Sequence, residues 1–386
     1  MTVSVNYPEE FKGFAITDPK DWASPKLTSI QPKIFGPNDV DIEIEACGIC
    51  ASELFTLKNE WSHDELACLS STYGPKCQIV GHEVVGKVVK IGSECKTDVK
   101  LGQRVGLGAQ ASCCAKEDCS RCNSGNEQYC PQSVGTYASR YPDGYVSQGG
   151  YASHVRAHEQ LVFPIPDGIE SHLVAPLQCG GLTVYSPIKR GIQDILDAGK
   201  EQPKVGIIGL GGLGHMAVMI SKALGAEVTT FSRSNAKKDD AFKMGTDKFI
   251  ATGEDKDWES KNWDQFHLIL NCASGTSAVD LDKLLKTLKV NRSFINVGLP
   301  HVDEKFEISP FTFFKNGSTI GSSCLGSRAE AIELFELAAK HNIKPWVETI
   351  KIGEEGVHEG LTRLDQGDVK YRFTLVGFNE YFGTGK

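Results

Sequence analysis

Lys204-Val-Gly-Ile-Ile208 runs straight into Gly209-Leu-Gly-Gly-Leu-Gly214 and then into His215-Met-Ala-Val-Met-Ile-Ser-Lys-Ala-Leu224. A short apolar run, a glycine-rich turn and a stretch with helical spacing follow one another without a gap. The run reads as a strand buried on both faces of a parallel sheet. In the turn, Gly209 allows the tight bend, Gly211 lets the backbone approach a pyrophosphate, and Gly214 lets helix and strand pack closely. A Gly-x-Gly-x-x-Gly motif is weak alone but specific when it leaves a strand and opens a helix, as it does here. Further apolar runs at Val228-Thr-Thr-Phe231, Leu268-Ile-Leu270 and Phe294-Ile-Asn-Val297 continue the sheet, so a doubly wound α/β domain that binds a dinucleotide is expected.

Upstream the pattern is different. Asp41-Ile-Glu-Ile-Glu45 alternates with period two, and Val84-Val-Gly-Lys-Val-Val-Lys-Ile91 and Gln103-Arg-Val-Gly-Leu107 are short β-runs broken by glycine. These predict a compact all-β first domain. Turn residues gather at Pro164-Ile-Pro-Asp-Gly168, placing the boundaries at 1–168 and 169–324. The remainder, 325–386, holds a helix over Arg328 to His341 and a closing strand Tyr371-Arg-Phe-Thr-Leu-Val376, and is expected to rejoin the first domain.

The 386 residues, 40% of them hydrophobic, exceed what one core supports. Lys and Arg number 41 against 49 Asp and Glu, a formal charge of −8. No basic, aromatic-interleaved surface for nucleic acid is legible. Met1 to Glu10 shows neither a basic flank nor an apolar core, and no eighteen apolar residues run together, so a cytoplasmic protein with no membrane partner is expected. The 13 cysteines lack the framework of a secreted disulfide scaffold. Cys47, Cys68, Cys77, Cys95, Cys272 and Cys324 read as ordinary buried thiols.

Two others stand with a histidine in a metal-like set. Cys50, His82 in Gly81-His82-Glu83, and Cys179 in Cys-Gly-Gly-Leu-Thr supply two thiolates and an imidazole. These are three corners of a zinc tetrahedron whose fourth corner can take and polarise an oxygen. Glu83 is a carboxylate that can sit behind the metal. A second cluster, Cys114-x4-Cys119-x2-Cys122-x7-Cys130, reads as a closed four-thiolate zinc site that folds a loop. Cys113 is the alternative to Cys114 there. Zinc beside a nicotinamide implies hydride transfer. At the end of the second strand stands Ser232-Arg233-Ser234 in place of a carboxylate, with Lys237 near. A 2′-phosphate would gain charge-assisted hydrogen bonds, which predicts NADP(H).

Gly81-His-Glu-Val-Val-Gly86, Glu45-Ala-Cys-Gly-Ile-Cys50, Ala175-Pro-Leu-Gln-Cys-Gly-Gly-Leu-Thr-Val-Tyr-Ser186 and Tyr371-Arg-Phe-Thr-Leu-Val-Gly377 resemble the zinc-dependent medium-chain alcohol dehydrogenases, in particular the cinnamyl alcohol dehydrogenase branch and the yeast NADP-dependent enzymes. The resemblance implies a GroES-like β-rich catalytic domain plus a Rossmann domain. It implies two zinc ions per chain, Cys50, His82 and Cys179 as catalytic ligands with Glu83 close by, and Cys47 in a non-ligand place. It puts Gly212, Leu213, Thr183 and Arg372 beside the glycines at the cofactor, and implies a homodimer acting on a small-molecule aldehyde or alcohol, aromatic or medium-chain aliphatic.

Ser52 would start the proton relay, and Glu53 takes the place of the family's Asp behind His82. The His that ends the relay is replaced by Phe55, whose ring cannot carry protons. Phe55 and Trp61 line an apolar substrate pocket in this reading, with core packing as the alternative. The first spacing of the four-cysteine cluster and the long segment Lys58 to Val80 also depart from the family. Two other readings are a reductase of an activated alkene or iminium with an altered relay, and a catalytically silent zinc- and dinucleotide-binding scaffold or redox sensor.

Overall fold

The computed structural model describes residues 8–61, 66–276, 279–301 and 303–384. The sequence expectations at 1–7 and at the centre of the Lys58–Val80 segment, 62–65, lie outside them. The chain forms two units, residues 1–179 with 347–386, and residues 180–346. Among the described residues no helix is long and apolar enough to cross a membrane.

The first unit is built on a seven-stranded sheet. Its path runs Val162–Pro164, Arg104–Leu107, Glu83–Ile91, Asp39–Ile49, Arg372–Val376, Val347–Lys351, with His154–His158 also paired to Asp39–Ile49. Only the last pair on that path is parallel. Asp39–Ile49 is the central strand because its alternation serves two faces. Val40, Ile42 and Ile44 are fully buried beside Val84, Phe373 and Leu375 in one core, the largest stabilising contribution available to such a strand. A three-stranded sheet, Lys26–Ile30, Phe11–Ile16 and Gln78–Ile79, closes one side.

The second unit is a six-stranded parallel sheet in the order Lys248–Ala251, Glu227–Ser232, Lys204–Ile208, Phe266–Asn271, Leu288–Asn296, Thr319–Ser322. Numbered within the unit this is 3-2-1-4-5-6, the Rossmann order whose reversal at the first strand creates the ligand crevice.

The boundaries fall elsewhere than the turn residues suggest. The first unit runs past 168 to Cys179 because the 3-10 turn Ala175–Gln178 is buried against its strands. Helix Arg328–His341 stays in the second unit, where Glu330 pairs with Arg190 and Glu333 with Lys189 of helix Gly180–Ala198. Only from Val347 onward does the chain return to the first unit. Of the spare cysteines, Cys47, Cys68 and Cys77 are buried as expected, Cys95 and Cys272 are half-buried, and Cys324 is exposed.

Candidate functional site

Strand register assembles the first site. Gly48 lies opposite Glu83 in the antiparallel pair, so Cys50, just past the end of one strand, and His82, just before the start of the next, emerge at the same sheet edge. Phe373 lies opposite Ile49, which brings Arg372 to that edge too. Cys179 arrives from the end of the 3-10 turn. Glycine is required twice. Gly81 sits at φ +108°, and a Cβ on Gly48 would fall 2.0 Å from Glu83 Oε2, so the missing side chain is the space the carboxylate fills.

One ligand atom each from Cys50, His82, Glu83 and Cys179 lies within 4.8 Å of all the others. Two soft thiolates, an imidazole and a nearby carboxylate are a donor set that fits zinc. The imidazole is oriented for it: Glu53 Oε1 stands 2.6 Å from His82 Nδ1, leaving Nε2 for a metal in the carboxylate–histidine–zinc manner. The longer Glu53 therefore reaches His82. Its other oxygen accepts the backbone N–H of Cys50, as the third residue of helix Ala51–Leu57 capping its own first turn.

Charge is balanced by neighbours. Arg372 donates to Glu83 Oε1 within the core, so the guanidinium that the sequence reading put on the cofactor is engaged with the metal-side carboxylate. Burial pushes Glu83 above the usual carboxylate range while Arg372 pulls it down. The hydrogen bond from Cys179 holds the Cys50 thiol well below its ordinary value despite burial, with Arg372 and His82 acting the same way. That bond in turn holds Cys179 up. Cys47, one strand residue away from this edge, is raised by burial and stays a thiol.

Ser52 Oγ lies 3.5 Å from His82 Nε2. Phe55 does not reach the cage; its ring stacks on Trp61 with centroids 4.8 Å apart and planes at 13°, and Trp61 is 38% exposed. The pair is a partly solvated apolar face at the end of helix Ala51–Leu57. Sequence reasoning missed Tyr137, whose phenol ring is 5.4 Å from that of His82. Burial and the Glu53 charge push that phenol well above its ordinary value. Nothing in the spacing around Tyr137 signals this placement, because it depends on a loop returning to the sheet edge.

The second cluster is local. Cys114, Cys119, Cys122 and Cys130 converge, with Cys114 Sγ 3.7 Å from Cys122 Sγ and 3.5 Å from Cys130 Sγ. A zinc with bonds of about 2.3 Å has tetrahedral edges of about 3.8 Å, so the set fits. Cys113 lies in the core outside the four. Backbone N–H groups of Cys122 and Arg121 bring the Cys119 thiol down to about 7, as a ligand thiolate requires. The longer first spacing is absorbed by Ala115 at φ +46°.

In the second unit the glycine loop joins strand Lys204–Ile208 to helix Gly214–Ala223. Gly209 is left-handed at φ +83°, a Cβ on Gly214 would meet Gly209 O at 1.8 Å, and one on Gly211 would meet nothing within 4 Å. The turn and the packing glycine are thus sterically required, while Gly211 faces open space where a pyrophosphate fits. Gly212 and Leu213 complete the loop, and Thr183 is half-buried in helix Gly180–Ala198. Ser232 ends the second strand; Arg233 and Ser234 follow it, exposed. Lys237 Nζ donates to Leu210 O at 2.7 Å, bringing its charge against the glycine loop itself.

Residues 36–167 match the model of the alcohol dehydrogenase GroES-like domain, and residues 212–340 that of the zinc-binding dehydrogenase family. The chain is 46% identical over 378 residues to NADP-dependent alcohol dehydrogenase 6 of Saccharomyces cerevisiae, covering 98% of this chain and 99% of that one. Among solved structures it is similar to a cinnamyl alcohol dehydrogenase of Sorghum bicolor, with TM-score 0.79, 29% identity, and 95% and 97% of the two chains covered. It is equally similar to a cinnamyl alcohol dehydrogenase of Helicobacter pylori complexed with NADP(H), with TM-score 0.79, 30% identity and 95% and 98% coverage.

Proposed function

The chain belongs to the zinc-dependent medium-chain alcohol dehydrogenases, and from that premise we propose that it reduces aldehydes to primary alcohols with NADPH, and oxidises them in reverse with NADP. The substrates are aromatic or medium-chain aliphatic, cinnamaldehyde-like compounds. The observation that carries this reading is the convergence of Cys50, His82, Glu83 and Cys179 at one buried edge, in a chain that also carries a sterically complete dinucleotide loop.

When bound, zinc would supply a Lewis acid for the carbonyl oxygen, and NADPH the hydride for the carbonyl carbon. The chain's own residues do the rest. Cys50, Cys179 and His82 Nε2 hold the metal. Glu53 fixes the tautomer and direction of His82 through Nδ1. Arg372 keeps Glu83 from standing as an unpaired buried charge. Ser52 gives the substrate oxygen its proton. Arg233, with Ser232 and Ser234, would recognise the 2′-phosphate, and Lys237 would add positive charge beside the loop.

Neither alternative reading is favoured: the relative of highest identity above is named as an alcohol dehydrogenase, and the convergence of Cys50, His82, Glu83 and Cys179, with Ser52 beside His82, supports turnover. We also propose that the protein works in the cytoplasm as a homodimer. The assembly is supported by the strand Thr319–Ser322, which among the described residues is an open edge of the second unit's sheet, and by Leu299, Phe311 and Phe314, which are 60%, 76% and 78% exposed. Such an unpaired edge with exposed apolar side chains calls for a second copy. The test is NADPH consumption with cinnamaldehyde and an aliphatic aldehyde series, run in parallel with NADH and with an enone. Carbonyl reduction with NADPH supports the reading; reduction of the enone double bond alone, or no turnover with two zinc ions bound, overturns it.

A further inference from the structure

Arg233 and Ser234 follow strand Glu227–Ser232 on an exposed surface, where an arginine is ordinarily a loose cation with many rotamers. A phosphate gains little from such a charge if the backbone beneath it must also be ordered on binding. The structure removes that second cost. Strand Lys248–Ala251 runs parallel to Glu227–Ser232, with Ala251 opposite Ser232, and the turn that leaves it folds across the arginine segment.

The crossing is made residue by residue. Thr252 donates to Ser232 O from its N–H at 2.8 Å and from its hydroxyl at 3.2 Å. Gly253 N–H donates to Arg233 O at 3.1 Å. Glu254 closes the row: its Oε1 accepts the Asn235 N–H at 3.0 Å, and its Oε2 accepts from the Asn235 side-chain amide. Only glycine permits this approach at 253, since a Cβ there would stand 2.5 Å from Arg233 O. On the other flank the segment is tied to the glycine loop, with Gly209 N–H donating to Phe231 O at 3.1 Å and Lys237 Nζ to Leu210 O at 2.7 Å. The backbone at Arg233 is therefore held from both sides, while among the described residues its guanidinium has no hydrogen bond or ion pair.

We propose that turn 252–254 sets the preference for NADP(H): Glu254 is a positioning residue that holds residues 232–235 so that Arg233 meets the 2′-phosphate, and Gly253 is the position that lets the two turns touch. This rests on the 2′-phosphate reading of Arg233 above. A bare carboxylate near a phosphate would repel it. Both Glu254 oxygens are engaged by Asn235, so the side chain contributes through geometry.

The test is equilibrium binding of NADPH, NADH, 2′,5′-ADP and 5′-AMP to the zinc-loaded full chain, which does not depend on the aldehyde reduced. Glu254→Ala should weaken NADPH and 2′,5′-ADP about fivefold, roughly one ordinary hydrogen bond, with NADH and 5′-AMP within about twofold of the parent. Glu254→Gln, which keeps both contacts once the Asn235 amide turns over, should bind as the parent does. Gly253→Ala should weaken NADPH about tenfold, the loss of a charge-assisted contact, because it displaces the Arg233 carbonyl itself. In turnover these losses should fall on KM for NADPH and not on kcat. Equal weakening of NADPH and NADH, tighter NADPH binding by Glu254→Ala, or unchanged binding in both alanine variants overturns the proposal. Arg233→Ala separates the two failures. If it keeps the preference for the 2′-phosphate, the reading of Arg233 falls and the proposal with it. If it loses that preference while Gly253→Ala and Glu254→Ala bind as the parent, only the positioning role falls.

Discussion

The first unit carries two cysteine sites built by opposite means. The closed one takes its four thiols from a single stretch, Cys114 to Cys130, organised by backbone N–H groups and one left-handed residue. The open one draws Cys50, His82 and Cys179 from three distant places, aligned by strand register and a buried turn, and needs Glu53 and Arg372 to manage charge. A local site can be specified by spacing. An assembled one depends on the whole sheet, and in exchange places its ligands at an edge where a substrate oxygen can enter.

The sharpest way to break this contrast is to remove one ligand from each. Cys179→Ala should cut aldehyde reduction by about 10³-fold or more, about 4 kcal/mol of lost transition-state stabilisation. Metal analysis should find one zinc per chain, with the unfolding temperature little changed; activity within tenfold of the parent would refute the open site. Cys119→Ser should also leave one zinc, but its main cost is a destabilisation of a few kcal/mol, because a closed site's binding energy is folding energy. Calorimetry distinguishes the two, and retention of two zinc ions would count against the closed assignment.

A finer probe is Glu53→Gln, which keeps the shape but removes the charge facing His82 Nδ1. Zinc affinity at the open site should fall 10–100-fold, roughly the usual cost of losing such a partner, with the closed site unaffected; competition with a chelator measures both. In the second unit, Arg233→Ala should weaken NADPH binding about tenfold and leave NADH as it was, the loss of one charge-assisted contact. Equal weakening of both cofactors would remove Arg233 from the 2′-phosphate.

The smallest effect separates metal-linked acid sensitivity from the ordinary kind. Burial lowers His154 from 6.5 to about 4. Its folded state therefore binds fewer protons than the unfolded chain between those values, so stability present above pH 6.5 is lost as pH falls towards 4. Between pH 6.5 and 5.5 this amounts to about 1 kcal/mol. His154→Phe, at a position already stacked on Phe11, should flatten that part of the stability profile. A profile unchanged in shape would assign the acid sensitivity to the metal thiolates.

Much of this was legible in advance. The strand–glycine loop–helix unit, the helix Arg328–His341 and the four-cysteine cluster declare themselves by local spacing, and the structure forms each near its expected place. Turn-rich Pro164–Gly168 misled the boundary, because the buried turn that ends the first unit has no such signal. The pairing of Arg372 with Glu83 was not legible, since a lone arginine does not announce a carboxylate nearly three hundred residues away. Cys324, counted among buried thiols, is exposed, because residue type alone does not say which side of a segment faces solvent.

By itself the amino-acid order determined the chemistry available: thiolates and an imidazole for a metal, glycines for a pyrophosphate, an arginine where a carboxylate would exclude a second phosphate. Those depend on residue type and short spacing, which local backbone geometry converts directly into structure. Only the tertiary structure decided which groups share a charge and which ring flanks the histidine: Glu83 with Arg372, Glu53 with His82, Tyr137 beside His82. Such pairs are set by strand register and loop return, and a shift of one residue in either would turn each of those side chains to the opposite face.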